Sequence, residues 1–242
     1  MSSVFIDEAL VDATRGGLLT LRGAEAKHAV TVSRVRVGER VLVGNGQGLL
    51  VRCVVETVQT GEVILNIEDV VTIDQRHPQI TLAQALAKGD RDERAVQMST
   101  ELGVTSIIPW QARRSVSRWD SAKASKGVQR WQTIAREATK QSLRAHIPQV
   151  RPMESSVTLA AHAATERMLV LDPEATTPLS SIRLDDRPLL LVVGPEGGID
   201  ESEMRSFADA GAERVRLGAN VLRTSSAGPA ALAVLNVISG HW

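Results

Sequence analysis

Two glycine-marked segments in the last quarter of the chain hold the residue types best suited to chemistry. The first is Leu189-Leu-Leu-Val-Val-Gly194-Pro-Glu-Gly-Gly198, and the second is Val215-Arg-Leu-Gly218-Ala-Asn-Val-Leu-Arg223-Thr-Ser-Ser-Ala227. Each reads as an apolar strand, a loop and the start of a helix. A buried strand ending this way exposes backbone N–H and C=O groups at the carboxyl edge of a sheet, where open α/β sheets take their ligands. Two such loops from consecutive strands could enclose one small molecule. A ligand held by main-chain groups can be neutral and flat, like an adenine, and Leu217, Val221 and Leu222 offer it apolar walls. Pro195, Gly197 and Gly198 allow close approach of the backbone; the plainer reading is a tight turn before the helix at Asp200. Pro229 is tolerated only in a first helical turn, so the spacing predicts a helix beginning close to Ser226. Arg223 then stands just before oriented N–H dipoles, a place that favours a developing anion.

Other chemistries are excluded by what these loops lack. Asp200 and Glu201 stand where a phosphate-cradling loop needs Lys and Ser or Thr. No G-x-G-x-x-G follows a strand, and no G-x-S-x-G surrounds Ser225 or Ser226. The five histidines have no metal-ligand spacing, so no metal is expected. One cysteine, Cys53, excludes an internal disulfide.

The 242 residues carry 28 basic and 28 acidic side chains, yet the charge is uneven. Between positions 111 and 151, ten Lys or Arg face only Asp120 and Glu137, a local excess of eight positive charges. Such a focused block points to a polyanion such as RNA, or else to a solvated helical face. Aromatic side chains are too scarce for base-stacking platforms. There is no apolar run of membrane-spanning length and no basic leader region, so the expectation is a cytoplasmic protein that touches no membrane.

Positioning these loops requires a scaffold. Residues 1–73 read as a small β-rich domain: Val51, Cys53 and Val55 share one strand face, and Val63, Leu65 and Ile67 another. A short helix is predicted over 24–34, carrying Lys27, His28 and Arg34. Asp74–Pro78 reads as a linker, and residues 78–242 as a second domain. There, strands at 80–86, 104–108, 167–171, 188–193 and 214–217 alternate with helices, which predicts a mostly parallel sheet covered on both faces. Asp90 and Glu93 predict a capping box for a helix that Gly103 stops. Val128, Trp131, Ile134, Ala135 and Ala138 mark a long amphipathic helix, with Arg136, Lys140 and Arg144 as a basic stripe on its other side. A further helix is predicted from Asp200 and Glu203 to Gly211.

Together these residues resemble the SPOUT-class 16S rRNA (uracil-N3) methyltransferases. The resemblance rests on Gly194-Pro-Glu-Gly-Gly198, on Leu217-Gly-x-x-Val-Leu-Arg-Thr224, and on Ala83-Gln-Ala-Leu-Ala-Lys88-Gly-Asp-Arg91. It extends to Glu101-Leu-Gly-Val104, Arg114-Ser-Val116, Glu137-Ala-x-x-Gln141-Ser-x-Arg144-x-x-Ile-Pro148 and the pair His28 and Arg34, so it covers nearly the whole chain. The sequence departs from the pattern at Ala219-Asn220, at Ser225 where many members have Glu, and at Gly228-Pro229.

The resemblance implies an N-terminal PUA-like β-barrel over 1–73 and a SPOUT α/β domain with a deep trefoil knot over 78–242. It also implies S-adenosylmethionine in the knot, a homodimer, and 16S rRNA in the assembled 30S subunit as substrate. Carried over residue by residue, it assigns the cofactor to Leu171, Val193, Gly194, Pro195, Glu196, Gly197, Leu217, Gly218, Val221, Leu222, Thr224 and Ala227. It assigns RNA contact to His28, Arg34, Lys88, Arg91, Arg114, Arg136, Lys140, Gln141 and Arg144. Methylating uracil N3 requires loss of an imide proton, with negative charge spreading onto the ring oxygens. Arg223 is expected to stabilise that anion, because an arginine donates several hydrogen bonds and is no base. The proton is expected to leave to water or to an acid such as Glu196, the nearest candidate in sequence. Two other readings stay open: an RNA-binding ribosome-assembly module without catalysis, and a SPOUT methyltransferase acting on another RNA position.

Overall fold

The computed structural model describes residues 3–242. The chain forms two compact units, Met1–Gln75 with Thr139–Ile147, and Arg76–Ala138 with Pro148–Trp242.

The first unit is built on β1 (Val4–Ile6), β2 (Leu18–Arg22), β3 (Arg40–Gly44), β4 (Leu49–Gln59) and β5 (Glu62–Thr72), ordered β1-β3-β4-β5-β2. Only β1 and β3 pair in parallel; the other pairs are antiparallel. The period-two pattern read from the sequence sets the faces. Val51, Cys53, Val55, Val63, Leu65 and Ile67 are all buried in one cluster with Phe5, Leu21, Val41 and Val43. Gly61 turns the β4–β5 hairpin at φ +84, a left-handed conformation that favours glycine. Cross-strand ion pairs Arg22–Glu62, Arg40–Glu68 and Arg52–Asp69 lie on exposed surface, where each contributes little stability. The helix expected at 24–34 is present as α1 (Gly23–Lys27) running into a π-helical segment, His28–Ser33, that ends at Arg34 with φ 52.

Residues 139–147 complete this unit. Gln47 bridges to His146, and Ile147 N–H donates to the Gly46 carbonyl at 2.9 Å. Lys140 is 7 % exposed, with its ammonium 3.4 Å from Glu25 Oε1 and 3.0 Å from His28 Nδ1. This corrects the expected basic stripe. Lys140 is buried in an ion pair, and Arg144 lies past the helix end at Gln141, beyond Leu143 at φ 59.

The second unit holds β6 (Ile80–Ala85), α2 (Arg91–Glu101), β7 (Ser106–Gln111), α3 (Ser121–Gln141, of which 139–141 belong to the first unit), β8 (Gln149–Val150), β9 (Glu154–Ser155) and α4 (Ser156–Ala160). β10 (Arg167–Leu171), β11 (Leu189–Val193), α5 (Glu201–Asp209), β12 (Glu213–Val215) and α6 (Thr224–Ile238) follow. All sheet pairings here are parallel, in the order β12-β10-β11-β6-β7-β8, with β9 also on β7. The near-continuous apolar strands are buried on both faces. Leu82, Ile107, Leu169, Leu191 and Val193 pack with Val96, Trp131, Leu232 and Leu235. The alternate residues Ala83, Ile108, Val170, Leu190 and Val192 pack with Leu159, Ala160 and Phe207. No helix among the described residues is long and apolar enough to cross a membrane.

Three local expectations are corrected. Asp90 makes no cap hydrogen bond, because its carboxylate takes Arg94, while Glu93 takes Arg130. β7 begins at Ser106 rather than Val104. α6 begins at Thr224, so Pro229 lies inside it rather than in its first turn. Gly228 explains part of that unusual pair: a Cβ there would stand 3.2 Å from Leu82 Cδ1 and 3.5 Å from Val193 Cγ2, so glycine lets α6 approach the sheet.

Candidate functional site

The parallel arrangement brings the carboxyl ends of β10, β11 and β12 side by side, and a cavity of about 1110 Å³ opens there. Its lining includes Leu171 from the end of β10, and Val193, Gly194, Pro195 and Glu196 from the β11 loop. The segment after β12 contributes Leu217, Gly218, Val221, Leu222, Arg223, Thr224 and Ala227. The two glycine-marked segments therefore do face one space. Gly197 belongs to the same loop, but its carbonyl is taken by Arg114 Nη1 at 3.3 Å.

The β11 loop owes its shape to turn and cap chemistry. Gly198 N–H donates to the Pro195 carbonyl at 2.9 Å, and Gly198 takes φ +74. Asp200 and Glu203 then form a reciprocal capping box on α5, as their spacing predicts. Glu203 is buried and also accepts from the Arg113 N–H and the Ser156 hydroxyl. The basic loop at 113–118 is thereby tied to the α5 end, with Arg114 reaching Asp200 as well.

The second loop is fastened by Thr224. Its hydroxyl donates to the Gly194 carbonyl at 2.8 Å and accepts from Gln84 Nε2 at 2.8 Å. Trp110 Nε1 donates to the Val193 carbonyl at 3.0 Å, which holds the end of β11 from the other side. On the β10 side, Asp172 pairs with Arg214, and both line the cavity.

Five arginines line this space, and four are engaged. Arg91 donates to Glu196 at 2.6 Å, Arg114 to Gly197 and Asp200, Arg205 to the Glu201 carbonyl, and Arg214 to Asp172. Arg223 is exposed at the N-cap of α6, and its guanidinium has no hydrogen-bond or ion-pair partner among the described residues. It is the cation of the cavity left to meet a ligand. The adjacent helix N-terminus adds oriented N–H dipoles.

Glu196 is held differently. Partial burial pushes its carboxyl up, but hydrogen bonds from Arg91 and from the Lys88 backbone N–H outweigh this and keep it below the ordinary carboxylate range. A carboxylate so stabilised is a weak proton acceptor. Its geometry is that of an anchor joining the β6–α2 loop to the β11 loop.

Of the residues expected to touch RNA, Arg91 and Arg114 line the cavity, and Lys88, three positions before Arg91, is exposed. Arg136 is half-buried on α3. His28, Arg34, Lys140, Gln141 and Arg144 belong to the first unit and do not line the cavity. Sequence reasoning missed Gln84, Asp172, Arg214 and Trp110 as parts of the site. Asp172 directly follows β10, and Gln84 and Arg214 are polar residues inside β6 and β12, which is a usable signal. Trp110 reads only as core.

Residues 75–236 match the RNA methyltransferase domain family, and residues 21–68 match the RNA methyltransferase PUA domain. A Mycobacterium bovis relative named ribosomal RNA small subunit methyltransferase E is 40% identical over 233 residues, spanning 94% of this chain and 89% of the relative. A Bacillus subtilis protein of the same name is 29% identical over 246 residues, 98% of this chain and 96% of its own. The crystal structure of a ribosomal RNA small subunit methyltransferase E from Neisseria gonorrhoeae bound to S-adenosyl methionine matches with a TM-score of 0.88 at 29% identity, covering 98% of both chains.

Proposed function

This chain belongs to the RNA methyltransferase family, and from that premise we propose that it methylates N3 of a uridine in 16S rRNA on the assembled 30S subunit, with S-adenosylmethionine as donor. The cavity suits that cofactor. Its volume exceeds what a molecule of this size needs, its walls mix apolar side chains with main-chain groups, and Glu174 and Glu201 add exposed carboxylates that complement a sulfonium and an ammonium. Leu171, Val193–Gly197, Leu217, Gly218, Val221, Leu222, Thr224 and Ala227 would hold it. When bound, the cofactor supplies an electrophilic methyl group on a sulfonium.

The protein's own residues do the rest. The two loops fix the donor and exclude water from one side, so that alignment supplies much of the rate. Arg223 aims an unshared guanidinium at the ring oxygens of the uracil as N3 loses its proton. Glu196 anchors the loop that faces it, and the proton passes to solvent. The single observation carrying this reading is the unpartnered Arg223 between the two cofactor loops.

Residues 1–73 act as the PUA-like RNA-binding domain and 78–242 as the SPOUT domain. His28, Arg34, Lys88, Arg91, Arg114, Arg136, Gln141 and Arg144 serve the RNA; Lys140 serves it only by holding His28 and the 139–147 segment in place. The path is that of a trefoil-knotted SPOUT domain, consistent with the strand order in which β11 lies between β6 and β10, and exposed Val237 offers apolar surface to a homodimer. The enzyme works in the cytoplasm, where its substrate is. The test is to incubate purified small subunits lacking the modification with isotopically labelled S-adenosylmethionine and to map the methyl group by mass spectrometry. Label on N3 of one uridine is expected. Label on another atom, or none, refutes the reading.

A further inference from the structure

Gln84 lies on the mostly apolar strand β6, and it is wholly buried. Its Nε2 donates to Thr224 Oγ1 at 2.8 Å and to the Ala85 carbonyl at 3.2 Å. Thr224 is 5 % exposed, and its hydroxyl donates to the Gly194 carbonyl at 2.8 Å. These contacts have only one consistent polarity. A hydroxyl has one proton, and a carbonyl can only accept. The Thr224 proton therefore goes to Gly194, and the Thr224 oxygen must accept from an amide N–H. A flipped Gln84 amide would set its oxygen against the Ala85 carbonyl and an oxygen whose proton is already committed. The relay runs from Gln84 through Thr224 to Gly194.

This arrangement is unfavourable for stability alone. Gln84 Oε1 is buried and has no partner among the described residues. An unpartnered buried amide oxygen is destabilising, and a methionine of similar size would fill the same space without one. What the glutamine adds is its N–H donor, delivered across 140 positions of sequence to the first residue of α6.

Resting on the methyltransferase reading above, we propose that Gln84 is a positioning residue for methyl transfer. By orienting the Thr224 hydroxyl toward Gly194 it holds the segment after β12 against the β11 loop. This sets the spacing of the two cofactor loops and the stance of Arg223, the residue next to Thr224. Thr224 itself does not offer its hydroxyl to the cofactor, since its proton is committed to Gly194.

The experiment compares the full-length wild type with Gln84→Met, Thr224→Val, the double variant and Thr224→Ser. S-adenosylmethionine affinity is read by titration calorimetry, methyl transfer by single turnover on small subunits lacking the modification, and stability by thermal melting. Gln84→Met and Thr224→Val should each weaken cofactor binding by about three- to tenfold, the effect of one net hydrogen bond, and slow single turnover. The double variant should be no worse than the poorer single one, because both break one relay, and Thr224→Ser should stay near wild type. A merely structural residue would lower the melting temperature while affinity and rate, measured well below it, stay unchanged. That result overturns the proposal, as does additivity of the two substitutions. If Gln84→Met does not fold, Thr224→Val against Thr224→Ser decides, and equal affinities overturn the relay. A wild type that binds no S-adenosylmethionine overturns the methyltransferase reading and the relay with it, and is distinguished by appearing before any substitution is made.

Discussion

Replacing Arg223 by alanine separates catalysis from folding in this protein. The guanidinium is exposed and has no partner among the described residues, and its side chain makes no cap hydrogen bond on α6. Truncation removes no hydrogen bond or ion pair of the guanidinium among the described residues, so the unfolding free energy should change by no more than about 0.5 kcal/mol. The loss in rate has a different origin. A preorganised donor aimed at developing negative charge is worth about 2.7–4 kcal/mol in a closed site. Arg223 faces an open cavity in the unliganded chain, where solvent screens it, so the lower end applies. The single-turnover rate should fall about 100-fold. Cofactor affinity should hold within about threefold, since loop backbone and apolar walls provide that binding. Arg223→Lys should recover part of the loss, because a lysine restores the charge without the planar fork. The assay is single-turnover transfer of labelled methyl to unmodified small subunits, alongside calorimetry and urea unfolding. A rate within threefold of wild type, with cofactor still bound, would refute the role assigned to Arg223.

Three further outcomes follow from particular contacts. The Glu196 carboxyl is held below its ordinary range in the folded protein, so its contribution is present above the unfolded value and lost as pH falls through the folded one; melting curves between about pH 5 and 3 should show a shallower acid limb for Glu196→Gln than for wild type. Lys140→Met should lower stability in urea unfolding by about 1–3 kcal/mol, because it removes a buried ammonium that lies 3.4 Å from Glu25 Oε1, and Glu25→Met in the same chain should be less than additive with it. Gly46→Ala should lower stability by about 2 kcal/mol, since Gly46 has φ +73 and the new Cβ would stand 2.6 Å from Ile147 Cδ1; adding Ile147→Ala should relieve the clash but not the backbone strain, so an unchanged midpoint for the single variant would count against this packing.

Much of the scaffold was legible before any coordinates. Alternation of Val51, Cys53 and Val55, the strand patterns at 80–86 and 188–193, and the Asp200–Glu203 cap are local patterns, and local patterns report on local structure. The same holds for the two glycine-marked loops, because a strand, a turn and a helix start are written in adjacent residues. Locality also explains the errors. The Asp90–Glu93 capping signal is sound in isolation, but Arg94 and Arg130 compete for the two carboxylates. Pro229 by itself favours a first helical turn, whereas α6 starts at Thr224 and carries Pro229 in its interior, beside a glycine that faces Leu82.

The amino-acid order alone therefore pointed to most of the strands and helices, to two glycine-marked loops at strand ends, and to an arginine before a helix. Only the folded chain decided how each charge is spent. Five arginines near one cavity look alike in sequence, and it takes the fold to give four of them partners and leave Arg223 without one among the described residues. Glu196 becomes an anchor, Lys140 a buried ion pair and Gln84 a donor to Thr224 for the same reason. Hydrogen bonds and ion pairs depend on distances of a few ångströms between residues as much as 140 positions apart, and such distances are properties of packing rather than of spacing along the chain.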